Sequence, residues 1–253
     1  MSTIMRGAEP FLFPGARTGC LLVHGFTGTP KEMRGLGEYL SEQGHTILGV
    51  RLTAHATKLE DMLRSRWHDW LASAEDGYHL LQGMTDNMFV MGLSMGGVLA
   101  LLLGAHFPVS GIVAMSTPYA LPADPRLIFV RPLSMLVRYI SKGESDWRDT
   151  QAEGTHLDYP AYPLRGIAEL RDLMPVMQSS LARITAPVLL IHSRTDTSVP
   201  PSNVERFAQA LTSCEKSIQW VENSGHVITG DSERHVVFER VGTFVSEITG
   251  AGS

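Results

Sequence analysis

Gly92-Leu93-Ser94-Met95-Gly96 sets a serine between two apolar runs, Met88-Phe89-Val90-Met91 before it and Gly97-Val98-Leu99-Ala100-Leu101-Leu102-Leu103 after it. The order reads as a short strand, a G-x-S-x-G turn and then a helix. A strand that turns straight into a helix must hold the residue between them in a sparsely allowed backbone conformation, with its side chain exposed at the top of a sheet. Gly92 and Gly96 flank the serine because side chains there would collide where strand and helix come close. The arrangement makes Ser94 a candidate nucleophile and requires a sheet around it.

The rest of the chain supplies that sheet. Cys20-Leu21-Leu22-Val23, Thr46-Ile47-Leu48-Gly49-Val50, Gly111-Ile112-Val113-Ala114-Met115, Pro187-Val188-Leu189-Leu190-Ile191-His192 and Ser217-Ile218-Gln219-Trp220-Val221 read as further strands. Helical patterns lie between them. One starts at Thr29-Pro30, read as an N-cap with proline at the first helical position, and Gly44 ends it. Another carries Trp67, Trp70, Leu71, Ala74, Tyr78 and Leu81; further ones lie near 202–212 and at the end of the chain, where Val237, Val241, Phe244, Val245 and Ile248 form one stripe. Strands alternating with helices predict an α/β chain with a parallel central sheet, covered by helices on both faces.

Between Pro118 and about Ser180 the alternation breaks. Seven of the 14 prolines fall there, with helix-like pieces near 126–141 and 165–180, so 118–180 is expected to be an insertion and 1–117 with 181–253 the core. At 253 residues the chain is long enough for one large α/β domain. A net charge of −5 with scattered basic residues gives no nucleic-acid surface, and no apolar run reaches the length of a membrane span. The first ten residues contain no apolar signal segment, so the expected compartment is the cytoplasm. Cys20 sits in a strand run as a small core residue, and with Cys214 it makes no disulfide framework. No metal-ligand cluster or phosphate-binding glycine loop appears, so no metal and no cofactor is implied.

A serine hydroxyl at neutral pH needs a base within reach and a third group to orient that base. In strand–turn–helix enzymes of this kind the chain order is serine, then an acid, then histidine. Of ten histidines, the order leaves few. Asp196 follows the strand 187–192, and beyond it lie only His226, just past the strand ending at Val221, and His235, inside the last helix pattern. Ser94, Asp196 and His226 are therefore the expected triad, with Glu222 second choice for the acid and His235 expected on the helix surface. Acyl transfer also needs two backbone N–H groups aimed at the developing oxyanion. Met95, directly after the serine, offers one; Phe26, in the loop His24-Gly25-Phe26-Thr27-Gly28, offers the other. His24 precedes the serine and is expected to brace that loop.

These residues resemble the α/β-hydrolase superfamily, and within it the small bacterial carboxylesterases and monoacylglycerol lipases. The matching pieces are Leu21 to Gly28, Gly92 to Gly97, Arg194-Thr195-Asp196 and Ser224-Gly225-His226-Val227-Ile228, and the likeness spans about residues 11 to 250. The Gly-Phe-Thr-Gly loop and the Ser-Gly-His-Val-Ile ending are similar to the bacillary thermostable carboxylesterases. The resemblance implies an α/β-hydrolase fold with a mostly parallel central sheet of about 7 strands flanked by helices, the triad and oxyanion donors just named, and a small cap at 118–180 over an acyl pocket. It implies a carboxylesterase for short- to medium-chain esters working through an acyl-enzyme, with a monoacylglycerol lipase, thioesterase, amidase or perhydrolase as the alternatives. A non-catalytic binding or signalling module on the same scaffold is the remote one. Serine at position 94 argues against dehalogenases and epoxide hydrolases, which place aspartate there. The partner expected is a small-molecule ester or monoacylglycerol. Cap residues Leu127, Ile128, Phe129, Leu133, Leu136, Val137 and Ile140 are expected near the site, as cap core or acyl contacts. Lacking a Gly-Gly-Gly run in its oxyanion loop, the chain should handle bulky tertiary-alcohol esters poorly. One departure concerns Ala54-His55-Ala56, where relatives often carry Gly-His-Gly.

Overall fold

A computed structural model describes residues 3–122 and 124–250. In chain order its elements are β1 (Phe11–Phe13), β2 (Thr18–Val23), α1 (Lys31–Glu42), β3 (Thr46–Val50), α2 (Trp67–Gln82), β4 (Asn87–Leu93), α3 (Met95–His106), β5 (Gly111–Met115), α4 (Val130–Leu133), β6 (Tyr139–Ser141), α5 (Thr150–Glu153), β7 (Ala161–Pro163), α6 (Leu164–Ser180), β8 (Val188–Ser193), α7 (Ser202–Ala210), β9 (Lys216–Val221) and α8 (Arg234–Thr249). Seven strands form one sheet in the order β1-β3-β2-β4-β5-β8-β9. All its pairings are parallel except that of the short edge strand β1 with β3. The rhythm of strands and helices predicts such a covered, mostly parallel sheet, and its seven strands fit the α/β-hydrolase fold that the resemblance implies.

The core divides along the pleat of the strands. Leu21 and Val23 of β2 point to one face, where α2, α3, α6 and α7 cover them; Cys20 and Leu22 point to the other, under α1 and α8. Successive strand residues must face opposite sides of a sheet, so both sides of β2 are apolar because both are covered. Helix α3 shows the same logic in a helix: Met95 to Leu103 are all buried, so it has no polar face. The stripe on α8 buries Val237, Val241, Phe244 and Val245, as its spacing requires. Among the described residues no helix is long and apolar enough to cross a membrane.

Two local expectations fail. Helix α1 starts one residue later than the proline reading places it: Pro30 is itself the cap, and the Thr29 hydroxyl finds no hydrogen-bond partner among the described residues. The stretch 126–141 is not one helix. It holds a 3-10 turn at Pro125–Phe129, the single turn of α4, and β6, which pairs antiparallel with β7. Pro132 lies inside α4 and has no N–H to donate. Ile128, Phe129 and Leu136 are 71%, 65% and 85% exposed, so no buried apolar face holds a longer helix together. Of the seven apolar cap residues expected near the site, Leu127 and Ile140 line the central cavity, while these three face solvent.

Helix α6 forms as expected, and it is bound to the core: its Leu173, Met174 and Met177 join the larger core cluster with α2 and α3. The carboxyl ends of β2, β4, β8 and β9 lie at one edge of the sheet, and the loops that leave them carry Phe26, Ser94, Asp196 and His226.

Candidate active site

Ser94 sits between β4 and α3 at φ 55° and ψ −120°, a conformation that side chains rarely adopt. The sheet imposes it. The Ser94 N–H donates to the Met115 carbonyl at 2.8 Å, which fixes the serine to β5, while Gly97 N–H closes the turn on the Ser94 carbonyl at 2.9 Å. A Cβ on Gly92 would lie 2.0 Å from the Gly96 carbonyl oxygen, and one on Gly96 would lie 2.1 Å from that of Val23. The two glycines are what lets strand and helix meet at this distance.

Asp196 and His226 come together from two other loops. His226 Nδ1 lies 2.8 Å from Asp196 Oδ2, so Nδ1–H donates to the carboxylate and Nε2 is left free for the cavity side. The other oxygen, Asp196 Oδ1, accepts the N–H groups of Ser198 and Val199 at 2.9 and 2.8 Å. The Asp196 side chain is fully buried and that of His226 is 17% exposed. Burial disfavours the charged form of both. The imidazole and the Val199 N–H outweigh it at Asp196, whose pKa is held down. At His226 the burial is outweighed by Asp196, with Asp146 and Glu32 adding, and the pKa is raised. Ser94 and His226 line the same cavity of ≈ 1160 Å³.

The second candidate acid and the second candidate base lie elsewhere. Glu222 is exposed and pairs with Arg194 at 3.1 Å. His235 is exposed on α8 beside Phe238. The N–H groups of Phe26 and Met95 meet no acceptor among the described residues, and both residues adjoin the serine: Phe26 follows Gly25, whose α-carbon side faces the Ser94 Cβ.

The loop that carries Phe26 is braced from behind. His24 is fully buried; its Nδ1 donates to the Gly25 carbonyl at 2.9 Å and its Nε2 accepts the Leu52 N–H at 3.2 Å. Burial pushes its pKa down to about 4. Its ring stands 5.1 Å from that of His55, also fully buried, which packs against Trp70. The alanines flanking His55 keep the glycine-like shape of the loop: Ala54 has φ 65° and Ala56 φ 57°. Glu32 of α1 accepts the Gly25 N–H at 2.8 Å from a buried position, and burial raises its pKa despite His156, 3.4 Å away, pulling the other way.

Several residues at the site escaped the sequence reading. His192, at the end of β8, donates from Nε2 to the Val199 carbonyl at 2.9 Å and lies 3.4 Å from Asp196 Oδ2; burial keeps its pKa low. Its place at the carboxyl end of a strand was the one available signal. Asp146 and Glu32 reach the site from distant parts of the chain, Asp231 lies five residues beyond His226, and none of the three carries a local pattern that marks it.

The chain is similar to known proteins over nearly its whole length. The family model described as serine aminopeptidase, S33, matches residues 15–233. The chain is 38% identical over 248 residues, 98% of each chain, to a thermostable monoacylglycerol lipase of Bacillus sp. (strain H-257). It is 30% identical over 242 residues to a carboxylesterase of Bacillus subtilis (strain 168), covering 95% of this chain and 97% of that one. A solved structure from work on LipS and LipT, two metagenome-derived lipolytic enzymes, superposes with a TM-score of 0.91 at 34% identity, over 97% of this chain and 100% of that one.

Proposed function

The chain belongs to the serine aminopeptidase S33 family of α/β-hydrolases, and on that footing we propose that it hydrolyses short- to medium-chain carboxylic esters at Ser94. It is a carboxylic ester hydrolase, as relatives of full length are. The observation that carries the assignment of residues is one cavity holding both Ser94, on its strained turn, and His226, whose far nitrogen is tied to a buried carboxylate.

The chemistry follows from that arrangement. His226 Nε2 takes the Ser94 proton as Oγ attacks the ester carbonyl, and Asp196 holds the ring and stabilises the imidazolium. The N–H groups of Phe26 and Met95 receive the oxyanion. Collapse of the intermediate expels the alcohol, which takes the proton from His226. Water, deprotonated by the same imidazole, then releases the acid and restores the serine. The segment 118–180 serves as the cap, with α6 as its seat on the core and Leu127, Ile140 and Ile167 as apolar wall for an acyl chain.

A monoacylglycerol is the second substrate we consider. Glu144, Glu153, His156 and Asp158 line the same cavity, a polar portion suited to a hydroxylated alcohol, and a relative of 38% identity is named for that activity. A fluorophosphonate probe should label the wild type at Ser94, and Ser94→Ala should abolish both labelling and ester hydrolysis; activity persisting in that variant overturns the assignment. Rates on monoacylglycerols set against simple alkyl esters of the same acids separate the two substrates.

A further inference from the structure

Asp196 and His226 leave from neighbouring strands, but a residue far from both ties their loops together. Asp146 lies between β6 and α5, within the segment 118–180. Its Oδ1 accepts the backbone N–H of His226 at 3.1 Å. Its Oδ2 accepts the N–H of Thr197 at 3.0 Å and the Thr197 hydroxyl at 3.2 Å. Thr197 follows Asp196 directly, so one carboxylate bridges the base itself and the residue beside the acid.

The neighbouring stretch is docked just as firmly. Asp231, fully buried, accepts the N–H groups of Arg148 and Asp149, the latter at 2.7 Å, and that of Gly225 at 2.6 Å. A Cβ on Gly225 would lie 2.4 Å from both the carbonyl oxygen and Oδ1 of Asp146. The base loop therefore has a glycine where residue 146 presses on it. The two ends of the Asp146 bridge are not equivalent. The Thr197 end is exposed, so water replaces it at little cost. The His226 N–H is partly buried and would be left without an acceptor.

We propose that Asp146 is a positioning residue through which the cap completes the catalytic site: its carboxylate fixes the acid and base loops against each other and contributes to the field at the imidazole. The proposal rests on the reading of Ser94, Asp196 and His226 as a triad. The charged and titratable groups facing the imidazole are Asp196 and His192 from β8 and its loop, Glu32 from α1, and Asp146 from the segment above. Seating the segment thus both orients the base and adds negative charge near it. The site is complete only while residues 146–149 are docked.

The test compares Asp146→Ala, Asp146→Asn and the wild type, with Asp86→Asn, an exposed carboxylate paired with Arg17, as control. Asp146→Ala should lose about 100-fold in kcat, the scale set by misplacing a catalytic group by an ångström, with a smaller change in KM. Asp146→Asn keeps the shape and removes a negative charge. Its acid limb of kcat/KM should therefore move to lower pH, because the imidazolium loses a stabilising neighbour. A merely structural role would lower the amplitude and leave that limb in place. The same shift should appear without turnover in an NMR titration of the His226 ring, comparing Ser94→Ala with Ser94→Ala/Asp146→Asn. Wild-type kcat in Asp146→Ala, or an unmoved acid limb and an unmoved ring titration in the Asn variants, overturns the proposal. If Asp146→Ala does not fold, the Asn variant decides alone. Were the triad reading wrong, Ser94→Ala would stay active while the ring titration still reported the coupling, so the two failures are distinguishable.

Discussion

At the elbow, Ser94 is held by its own neighbours: Gly92, Gly96 and Gly97 within three residues, and the backbone of β5 beside it. Across the same cavity, His226 is held by Asp196, thirty residues away, and by Asp146, eighty residues away, with Asp231 tying its loop to Arg148 and Asp149. The geometry at Ser94 is a by-product of packing a strand against a helix and exists wherever the sheet exists. The geometry at His226 is assembled from three separate pieces of chain, held by hydrogen bonds that can be lost while the sheet stays intact.

The sharpest way to break this contrast is one methyl group on each side. Gly92→Ala drives a Cβ into the Gly96 backbone, which cannot yield without parting β4 from α3. It should cost about 3 kcal/mol or more of stability, read as a lowered Tm or failure to fold. A Gly92→Ala variant with the wild-type Tm would mean the elbow is looser than its glycines indicate. Acid should act next, on the loop that carries Phe26. His24 is held at about 4 when folded, below the ordinary value of about 6.5 in the unfolded chain. The unfolded state then binds the extra proton, so the contribution is fully present above about 6.5 and is lost as pH falls toward 4, by about 3 kcal/mol. Urea midpoints measured across that window should decline, and a flat profile would remove His24 as a buried neutral brace. Gly225→Ala should separate activity from stability where Gly92→Ala does not: the new methyl presses on the carbonyl and side chain of Asp146, outside the sheet, so kcat falls by about tenfold or more while Tm falls less than in Gly92→Ala. A large Tm loss there would make the base loop part of the rigid frame after all. The smallest effect belongs to Ala54→Gly and Ala56→Gly. Relief of a left-handed alanine is partly cancelled by glycine's greater unfolded freedom, leaving a gain of about 0.5 kcal/mol each.

The same contrast decides what could be read from the sequence. The elbow was legible because its causes are local: an apolar strand, two glycines and an apolar helix occur within sixteen residues of each other in the order the geometry demands. Chain order pairs Asp196 with His226, each just past a strand, and the structure sets the two side chains 2.8 Å apart. Asp146 and Asp231 were not legible, since an aspartate's value as an acceptor depends on which N–H groups the fold delivers to it. The stretch 126–141 was misread for a related reason. Its apolar spacing suits a helix, but a short helix needs a surface to bury that face against, and Phe129 and Leu136 have none.

The segment 118–180 leaves the sheet after β5 and returns at β8, and these two strands are direct neighbours, joined also by the Ser116 N–H to the Ile191 carbonyl at 2.8 Å. Its two ends are thus stapled side by side by the sheet itself, whatever lies between them. Loop-closure entropy grows slowly, by about 0.6 kcal/mol for each doubling of length, so the excursion is open to replacement by a shorter or longer one. For an engineer this is a socket between two adjacent posts. A transplanted module would plug into it without disturbing the strands around Ser94, yet would leave the base unclamped unless it brought its own carboxylate to the place where Asp146 now reaches.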